Sequence, residues 1–347
     1  MIREAIGHIA SGGTLSESEA ASVMEELMTG AATPSQMGAF LTALRLRPGG
    51  ETIEEISGLA HVMRDKAVQV HLDEESQMRA LDTCGTGGDL AGTFNVSTGA
   101  GIIAAAAGAK VAKHGNRSAT SHCGSADVLE ALGVKIELKA HEVAHCVREA
   151  GFGFMFSPAY HPSMKYIGPT RREIGIRNVF NILGPLTNPA HTRYQVLGVP
   201  DRSLLPKMGE VLLRMGCQHA LIVHGADGLD ECSLSAPTYV YEIRQGTEPR
   251  EYTIHPEELG LPLISDHAAF RGGNAQESAQ LLRELLSDNY DTPKTHMLCL
   301  NAGAALYAND LAPSIREGIQ LARATLREGK AKRTLNDVIE CTQAIAR

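Results

Sequence analysis

From about residue 78 onward, short apolar runs alternate with amphipathic segments punctuated by glycine, and few folds accommodate that pattern. The runs are Arg79 to Thr83, Ala109 to Lys113, Lys135 to Leu138, Phe152 to Phe156, Gln195 to Val199 and Ala220 to His224. Between them lie Ser97 to Ala107, Ser125 to Leu132, His141 to Ala150 and Leu204 to Met215, each with helical character. Alternation of this kind predicts βα units around a mostly parallel central sheet flanked by helices. Tyr239 to Ile243, Gly246 and Glu251 to Ile254 read as a hairpin. The chain has 35 glycines and no tryptophan, which fits many tight backbone turns better than aromatic stacking surfaces.

The first 70 residues read as helices instead. Ser16 is placed to cap a helix over 17–28 that Gly30 stops, and Pro34 sits early in a second helix over 35–46, ended by Pro48-Gly49-Gly50. Thr52 opens a third helix running to about Lys66, and the polar stretch Asp73 to Gln77 reads as a linker. The expected organisation is a small N-terminal helical domain over 1–72 and a large α/β domain over 73–347.

Lys and Arg number 32 against 40 Asp and Glu, a net charge of −8, so a chain-wide electrostatic grip on nucleic acid is not expected. A small anionic ligand would need local glycine amides, a few placed cations or metal ions. The seven cysteines are scattered with no CxxC pair, which argues against a zinc site and against a disulfide framework. The N-terminus lacks the features of a signal peptide, and no stretch approaches the roughly 18 apolar residues of a membrane span. The expectation is a soluble, cytoplasmic protein with no membrane partner.

Four motifs mostly follow predicted strands, where open α/β sheets place their ligands. Asp82-Thr83-Cys84-Gly85-Thr86-Gly87-Gly88-Asp89, followed by Asn95-Val96-Ser97-Thr98 and an Ala/Gly-rich helix, has the makings of a phosphate cradle. The ordinary alternative is a tight strand-to-helix turn; the loop matches neither a Walker A motif nor the dinucleotide fingerprint. Lys113 to Ser121, then Gly124-Ser125-Ala126-Asp127, gathers cations, hydroxyls and glycine in a way that suits a polyanion, with a solvated loop as the alternative. Asp227, Asp230 and Glu231 sit in a turn after an apolar run and offer oxygen ligands of the kind Mg²⁺ prefers. An isolated acidic turn is usually only a surface feature, so this reading depends on the turn facing the glycine loop. In the segment 157–190, Arg171 is a candidate bidentate carboxylate binder, with a surface salt bridge to Glu173 as the alternative. His161, beside prolines, reads more readily as structural than as a ligand contact.

At these residues the chain resembles the anthranilate phosphoribosyltransferase family. The matching strings are GTGGD at 85–89, NVST at 95–98, KHGNR at 113–117, GSADVLEALG at 124–133, FNILGPLTNPA at 180–190 and LDE at 229–231. GTGGD alone is weak; all six in the family's order are specific. The resemblance implies the nucleoside phosphorylase/phosphoribosyltransferase-like fold, with a helical segment returning near 160–185 and a homodimer formed through the helical domain. It also implies transfer of the phosphoribosyl group from 5-phosphoribosyl 1-diphosphate to anthranilate, with release of pyrophosphate, in tryptophan biosynthesis.

By matching position, the resemblance places the phosphoribosyl diphosphate on Gly85, Gly88, Asp89, Thr93, Asn95, Val96, Ser97 and Thr98. Lys113, His114, Gly115, Asn116, Arg117, Ser118, Ala119, Thr120, Ser121 and Ser125 complete that site. It places anthranilate on Gly85, Asn116 and Arg171, and two Mg²⁺ ions per subunit on Ser97, Asp230 and Glu231. His122 and Cys123 depart from common family residues and receive no role. No nucleophile–base pair stands out, so catalysis by positioning and electrostatics is expected. Two competing readings are a pyrimidine nucleoside phosphorylase of the same fold and a non-catalytic relative that binds nucleic acid. Arg171 and the segment 178–190 suit a carboxylate-bearing acceptor better than a pyrimidine. The intact acidic pair and the negative charge disfavour the nucleic-acid reading.

Overall fold

The structure, a computed structural model, describes residues 1–89, 91–118, 123–287 and 291–345. Four helices come first: α1 (Ile2–Ala10), α2 (Glu17–Thr29), α3 (Pro34–Leu46) and α4 (Ile53–Asp65). The last three each open on a capping box, Ser16 with Glu19, Thr33 with Gln36 and Thr52 with Glu55, so local sequence sets their starts. Gly30 ends α2 in the left-handed region at φ 77°, and Pro34 takes the first turn of α3. The polar stretch read as a linker is a helix instead, α5 (Glu74–Met78): the Asp73 carboxylate accepts from the Ser76 N–H at 3.0 Å and caps it.

The larger part of the chain runs β1 (Ala80–Gly85), α6 (Val96–Ala106), β2 (Lys110–Gly115), α7 (Ser125–Ala131), α8 (Ala140–Ala150) and β3 (Phe152–Phe156). Three helices follow, α9 (Ser157–Tyr160), α10 (Met164–Ile174) and α11 (Phe180–Leu183), before β4 (Tyr194–Gly198), α12 (Leu204–Arg214) and β5 (His219–Gly225). The hairpin β6 (Thr238–Arg244) and β7 (Arg250–Ile254) extends the sheet, and α13 (Ala275–Ser287), α14 (Pro293–Ala308), α15 (Ile315–Arg327) and α16 (Lys330–Ile345) complete the chain.

The seven strands lie in the order β3-β2-β1-β4-β5-β6-β7, with β1 to β5 parallel and the last two antiparallel. Strand order reverses between β1 and β4, which makes their carboxyl ends the switch point where such sheets leave a crevice. Gly85 and Gly198 are register partners there. Successive residues of β4 and β5 enter different cores. Val196 and Leu221 pack with Ile102, Ile103 and Leu298 on one face, and Leu197 and Ile222 with Leu205, Met208, Phe180 and Leu59 on the other. Burial on both faces explains why these strands read as unbroken apolar runs. The second core continues from the sheet into α1–α4, so the helical block and the sheet share packing.

One expected strand is absent. Lys135–Leu138 joins no ladder; Val134, Ile136 and Leu138 are buried at alternate positions while the Lys135 N–H donates to Thr342 Oγ1 of α16 at 3.2 Å. The alternation reports burial of one side against helices, which does not require a strand partner. Helix α10 lies against the N-terminal block: the Tyr166 ring closes on Gly30, and Thr170 and Ile174 on Gly38.

Candidate active site

The glycine loop after β1 and the acidic turn after β5 meet at the switch point. The Gly87 N–H donates to Asp230 Oδ2 at 2.8 Å, although the two residues are far apart in sequence. A Cβ at Gly85 would stand 2.3 Å from Asp230 Oδ2, and one at Gly198 would stand 1.5 Å from the Asp230 carbonyl oxygen. Both strands therefore have to end in glycine for the acidic turn to fold over them. Within the turn, Asp227 is structural: its Oδ2 accepts from Ser233 Oγ at 2.6 Å, and the Gly225 N–H closes on Leu229 O at 2.9 Å. Asp230 and Glu231 are left to face the loop and the start of α6.

Three carboxylates converge there. Asp230 and Asp89 are within hydrogen-bonding reach of each other, and burial followed by the Asp89 charge pushes Asp230 up to about 7. Burial, then the charge of Asp230, holds Glu231 well above the ordinary carboxylate range, against the pull of Lys113 and the Ser97 N–H at the N-terminus of α6. Asp89 Oδ2 is buried with no hydrogen-bond partner, while its Oδ1 accepts from the Ala91 N–H at 3.2 Å. Mutual repulsion between hard oxygen donors is what a divalent cation relieves, so the donor set fits Mg²⁺. Among the described residues, no group of three or more His, Cys, Asp or Glu side chains is placed to hold a metal ion by itself, so a cation here would also draw on other oxygens.

Lys113 is buried at 1 % exposure, and its ammonium donates to the Thr83 carbonyl and, at 3.2 Å, to Ser97 Oγ. Thr83 Oγ1 donates to the Ser97 carbonyl at 2.9 Å, so β1, β2 and the first turn of α6 are tied together beneath the loop. Asn95 Nδ2 donates to the Cys123 carbonyl at 3.0 Å while its Oδ1 is buried and unpartnered. Val96 and Thr98 are buried in the start of α6, and Thr93 bridges to Arg271. Val96 therefore offers the site its backbone rather than its side chain.

The loop after β2 is organised by Asp127. Its Oδ2 accepts from the Ser118 N–H at 3.0 Å and the Gly124 N–H at 2.9 Å, and its Oδ1 from Arg117 at 3.0 Å. Arg117 also pairs with Glu130 at 2.8 Å and lies over the Phe156 ring, so its charge is spent locally in this structure. Asn116 Oδ1 accepts from the Arg117 N–H at 2.7 Å. Ser125 Oγ donates to the Asn116 carbonyl at 3.4 Å and fills the space a Cβ at Gly115 would need. Ala119, Thr120 and Ser121 lie outside the described residues.

Beyond this loop, buried polar atoms are left unsatisfied: His114 Nε2, His161 Nε2 and Arg171 Nε. The two imidazoles are 5.0 Å apart between ring centroids, and Arg171 lies over the Phe180 ring at 5.1 Å. Burial lowers His114 to about 3, with its neighbour His161 adding to the shift, and lowers His161 to about 4, so both rings are neutral at pH 7. Burial also lowers Arg171. The alternative reading, a surface ion pair with Glu173, is not formed among the described residues. His161, read from sequence as more readily structural, shares this unsatisfied character.

Asn188 proves structural. Its Nδ2 donates to buried Asp82 at 2.7 Å and to the Ala112 carbonyl at 2.9 Å, stitching β1 to β2, and its Oδ1 caps the Ala190 N–H at 2.8 Å. Sequence reasoning gave no role to Gly198, Arg177 or Asn188 individually; a glycine closing the apolar run of β4, as one closes β1, was the available signal for the first.

Two family models cover almost the whole chain: the helical bundle domain of a glycosyl transferase family over residues 3–67 and the α/β domain of that family over 77–332. The anthranilate phosphoribosyltransferase of Chloroflexus aurantiacus is 52% identical over 338 residues, spanning 97% of this chain and 98% of the relative. The chain belongs to the anthranilate phosphoribosyltransferase family. A Roseiflexus enzyme of the same family is 53% identical, with 97% of each chain covered. The crystal structure of the Thermus thermophilus family member superposes with a TM-score of 0.90 at 42% identity, covering 98% of this chain and 99% of that one. The Saccharomyces cerevisiae family member, solved in complex with PRPP and Mg, superposes with a TM-score of 0.89 at 27% identity, covering 99% and 98%.

Proposed function

We infer that this chain transfers the phosphoribosyl group of 5-phosphoribosyl 1-diphosphate (PRPP) to the amine of anthranilate, in tryptophan biosynthesis. The products are N-(5-phosphoribosyl)anthranilate and pyrophosphate. The observation that carries the reading is the acidic turn hydrogen-bonded onto the glycine loop at the switch point, Gly87 N–H to Asp230 at 2.8 Å. Carboxylates alone would repel a diphosphate, so their place beside a phosphate cradle makes sense for a metal-chelated one.

The donor is assigned to the loop amides of Gly85, Gly88 and Asp89, to Thr93 and Asn95 through Thr98, and to Lys113 through Ser121 with Ser125. Magnesium would be held by Ser97, Asp230 and Glu231, with Asp89 beside them; bound there, it neutralises charge on the leaving pyrophosphate. Two ions per subunit is our proposal. Gly85, Asn116 and Arg171 are assigned to the acceptor, with the unsatisfied imidazoles of His114 and His161 as further polar contacts. Arg171 would take the carboxylate through charge-assisted bonds. The aromatic amine of anthranilate is neutral at pH 7, so attack on a ribosyl carbon with oxocarbenium character needs no strong base. What the residues supply is alignment and stabilisation of the departing charge.

The test is loss of anthranilate fluorescence with purified protein, PRPP and Mg²⁺, matched by pyrophosphate release and abolished by chelation. Well-folded protein with no fluorescence loss overturns the reading and directs attention to nucleoside phosphorolysis. Replacing Asp230 by Asn together with Glu231 by Gln is expected to move half-maximal activity to much higher Mg²⁺. Wild-type metal dependence in that double variant would remove the pair from the metal site.

A homodimer through the helical domain is likewise proposed, supported by the exposed apolar side chains of Leu46 on α3 and Tyr166 on α10. Sedimentation of the purified chain at monomer mass would refute it. Among the described residues no helix is long and apolar enough to cross a membrane. A cytoplasmic location is our reading.

A further inference from the structure

Arg177, in the segment between α10 and α11, reaches the glycine loop from the side of the helical return. Its Nη2 donates to the Gly87 carbonyl at 3.0 Å. Its guanidinium comes so close to Gly88 that a Cβ there would stand 1.2 Å from Nη1. The Gly87 residue is thus held at both ends, by Arg177 at its carbonyl and by Asp230 at its N–H. Gly87 and Gly88 have φ of 69° and 89°, in the region only glycine adopts freely.

A Gly–Gly peptide with such freedom can rotate as a unit, exchanging the directions of its C=O and N–H. The peptide group is planar and trans, so its C=O and N–H point opposite ways. A bond from Arg177 to the Gly87 carbonyl therefore fixes the Gly88 N–H to point away from the guanidinium. No acceptor among the described residues takes that N–H. With the peptide turned over, the loop would offer a diphosphate a carbonyl oxygen instead of a donor.

We propose that Arg177 is a positioning residue for the diphosphate-bearing substrate, locking the Gly87–Gly88 peptide so that the Gly88 N–H stays available to a phosphate oxygen. This rests on the reading of the loop as the PRPP cradle. Arg177 is exposed, so its replacement is not expected to cost folding. The experiment compares Arg177→Ala, Arg177→Lys and the unaltered full chain by steady-state kinetics and by calorimetric binding of Mg²⁺–pyrophosphate. Amide hydrogen exchange of residues 85–89 in the ligand-free chain is measured alongside.

The alanine variant should raise KM for PRPP and the Kd for pyrophosphate about tenfold, the scale of one charge-assisted bond. KM for anthranilate should stay within about twofold, and exchange at 85–89 should quicken. Lysine, a point charge without a planar fork, should recover less than half of the loss. Unchanged PRPP and pyrophosphate affinity in Arg177→Ala overturns the proposal. So does unchanged ligand-free exchange at 85–89, which would make Arg177 a direct ligand. A fall in melting temperature with equal loss for both substrates would overturn it as well. Failure of the unaltered chain to bind pyrophosphate would show the cradle reading itself to be wrong, and is distinguishable because no variant is involved.

Discussion

Arg171, which we propose takes the acceptor's carboxylate, has a guanidinium whose Nε is buried and unpartnered. An N–H removed from water without an acceptor is unfavourable, so Nε is held ready for an anion. Arg171→Ala is expected to raise KM for anthranilate about ten- to a hundredfold, from the loss of a bond worth about 1.5–3 kcal/mol, and to leave KM for PRPP nearly unchanged. Unaltered kinetics toward anthranilate would refute the assignment. Gly198 makes the opposite kind of case, a residue that acts by having no side chain. Its missing Cβ would sit 1.5 Å from backbone of Asp230, so Gly198→Ala must displace the acidic turn. Activity should fall by about a hundredfold or more at saturating Mg²⁺ while the circular dichroism spectrum stays folded; retained activity would mean the turn tolerates displacement. The motif strings pointed to Gly85, Asp230 and Glu231, but the reason for Gly198 is a contact between strand ends that no local pattern records.

At the scale of elements, caps and glycine stops made the starts of α2, α3 and α4 legible, because those signals are local hydrogen bonds. The buried pair that locks them was not legible. Glu55 closes the capping box of α4, accepts from the Leu15 N–H at 2.9 Å and pairs with Arg47, both side chains being nearly inaccessible. Arg47 in turn donates to the Gly13 carbonyl at 2.9 Å, so one ion pair joins two interhelical connections. Glu55→Gln leaves a buried guanidinium without its counter-charge and should lower stability by about 3–5 kcal/mol in chemical denaturation, with the loss expressed in the helical block. A change below about 1 kcal/mol would show that water reaches Arg47. The mistaken strand at 135–138 teaches the same lesson in reverse: alternate burial is visible in sequence, but whether a neighbouring backbone or a helix covers the segment is not.

Across the whole molecule, buried groups at opposite ends of the strands make stability depend on acid. At the amino end of β5, His219 Nε2 and Glu242 Oε1 are 3.1 Å apart, and Tyr307 donates to the same oxygen at 2.8 Å. These bonds, opposed by burial, hold Glu242 at about 2. Its contribution is complete above the ordinary carboxylate pKa of about 4.3 and is lost as pH falls toward 2. Buried His114 and His161, at about 3 and about 4, charge more easily in the unfolded chain. Their contribution begins to disappear earlier, as pH drops below about 6.5. Buried Asp230 and Glu231, both held up, gain stability over that same range and oppose the histidines, so the clear decline in denaturation midpoint is expected below about pH 4.3. Glu242→Gln should flatten that decline; an unchanged acid limb in the variant would place the acid sensitivity elsewhere.

By itself, the sequence determined what is written in local physics and in ordered strings. Periods of burial, caps, turn glycines and the absence of a net positive charge defined a helical block before a mostly parallel α/β sheet, and six motifs in order pointed to the family. Tertiary structure decided the rest, because it depends on contacts between residues far apart in the chain. It set the strand order that creates a crevice between β1 and β4, and the approach of Asp230 to Gly87 that turns an acidic turn into part of a site. It also sent Asn188 inward to bind Asp82 and brought Arg177 onto a loop some ninety residues earlier. Such pairings are chosen by how the whole chain packs, and a local pattern carries no record of them.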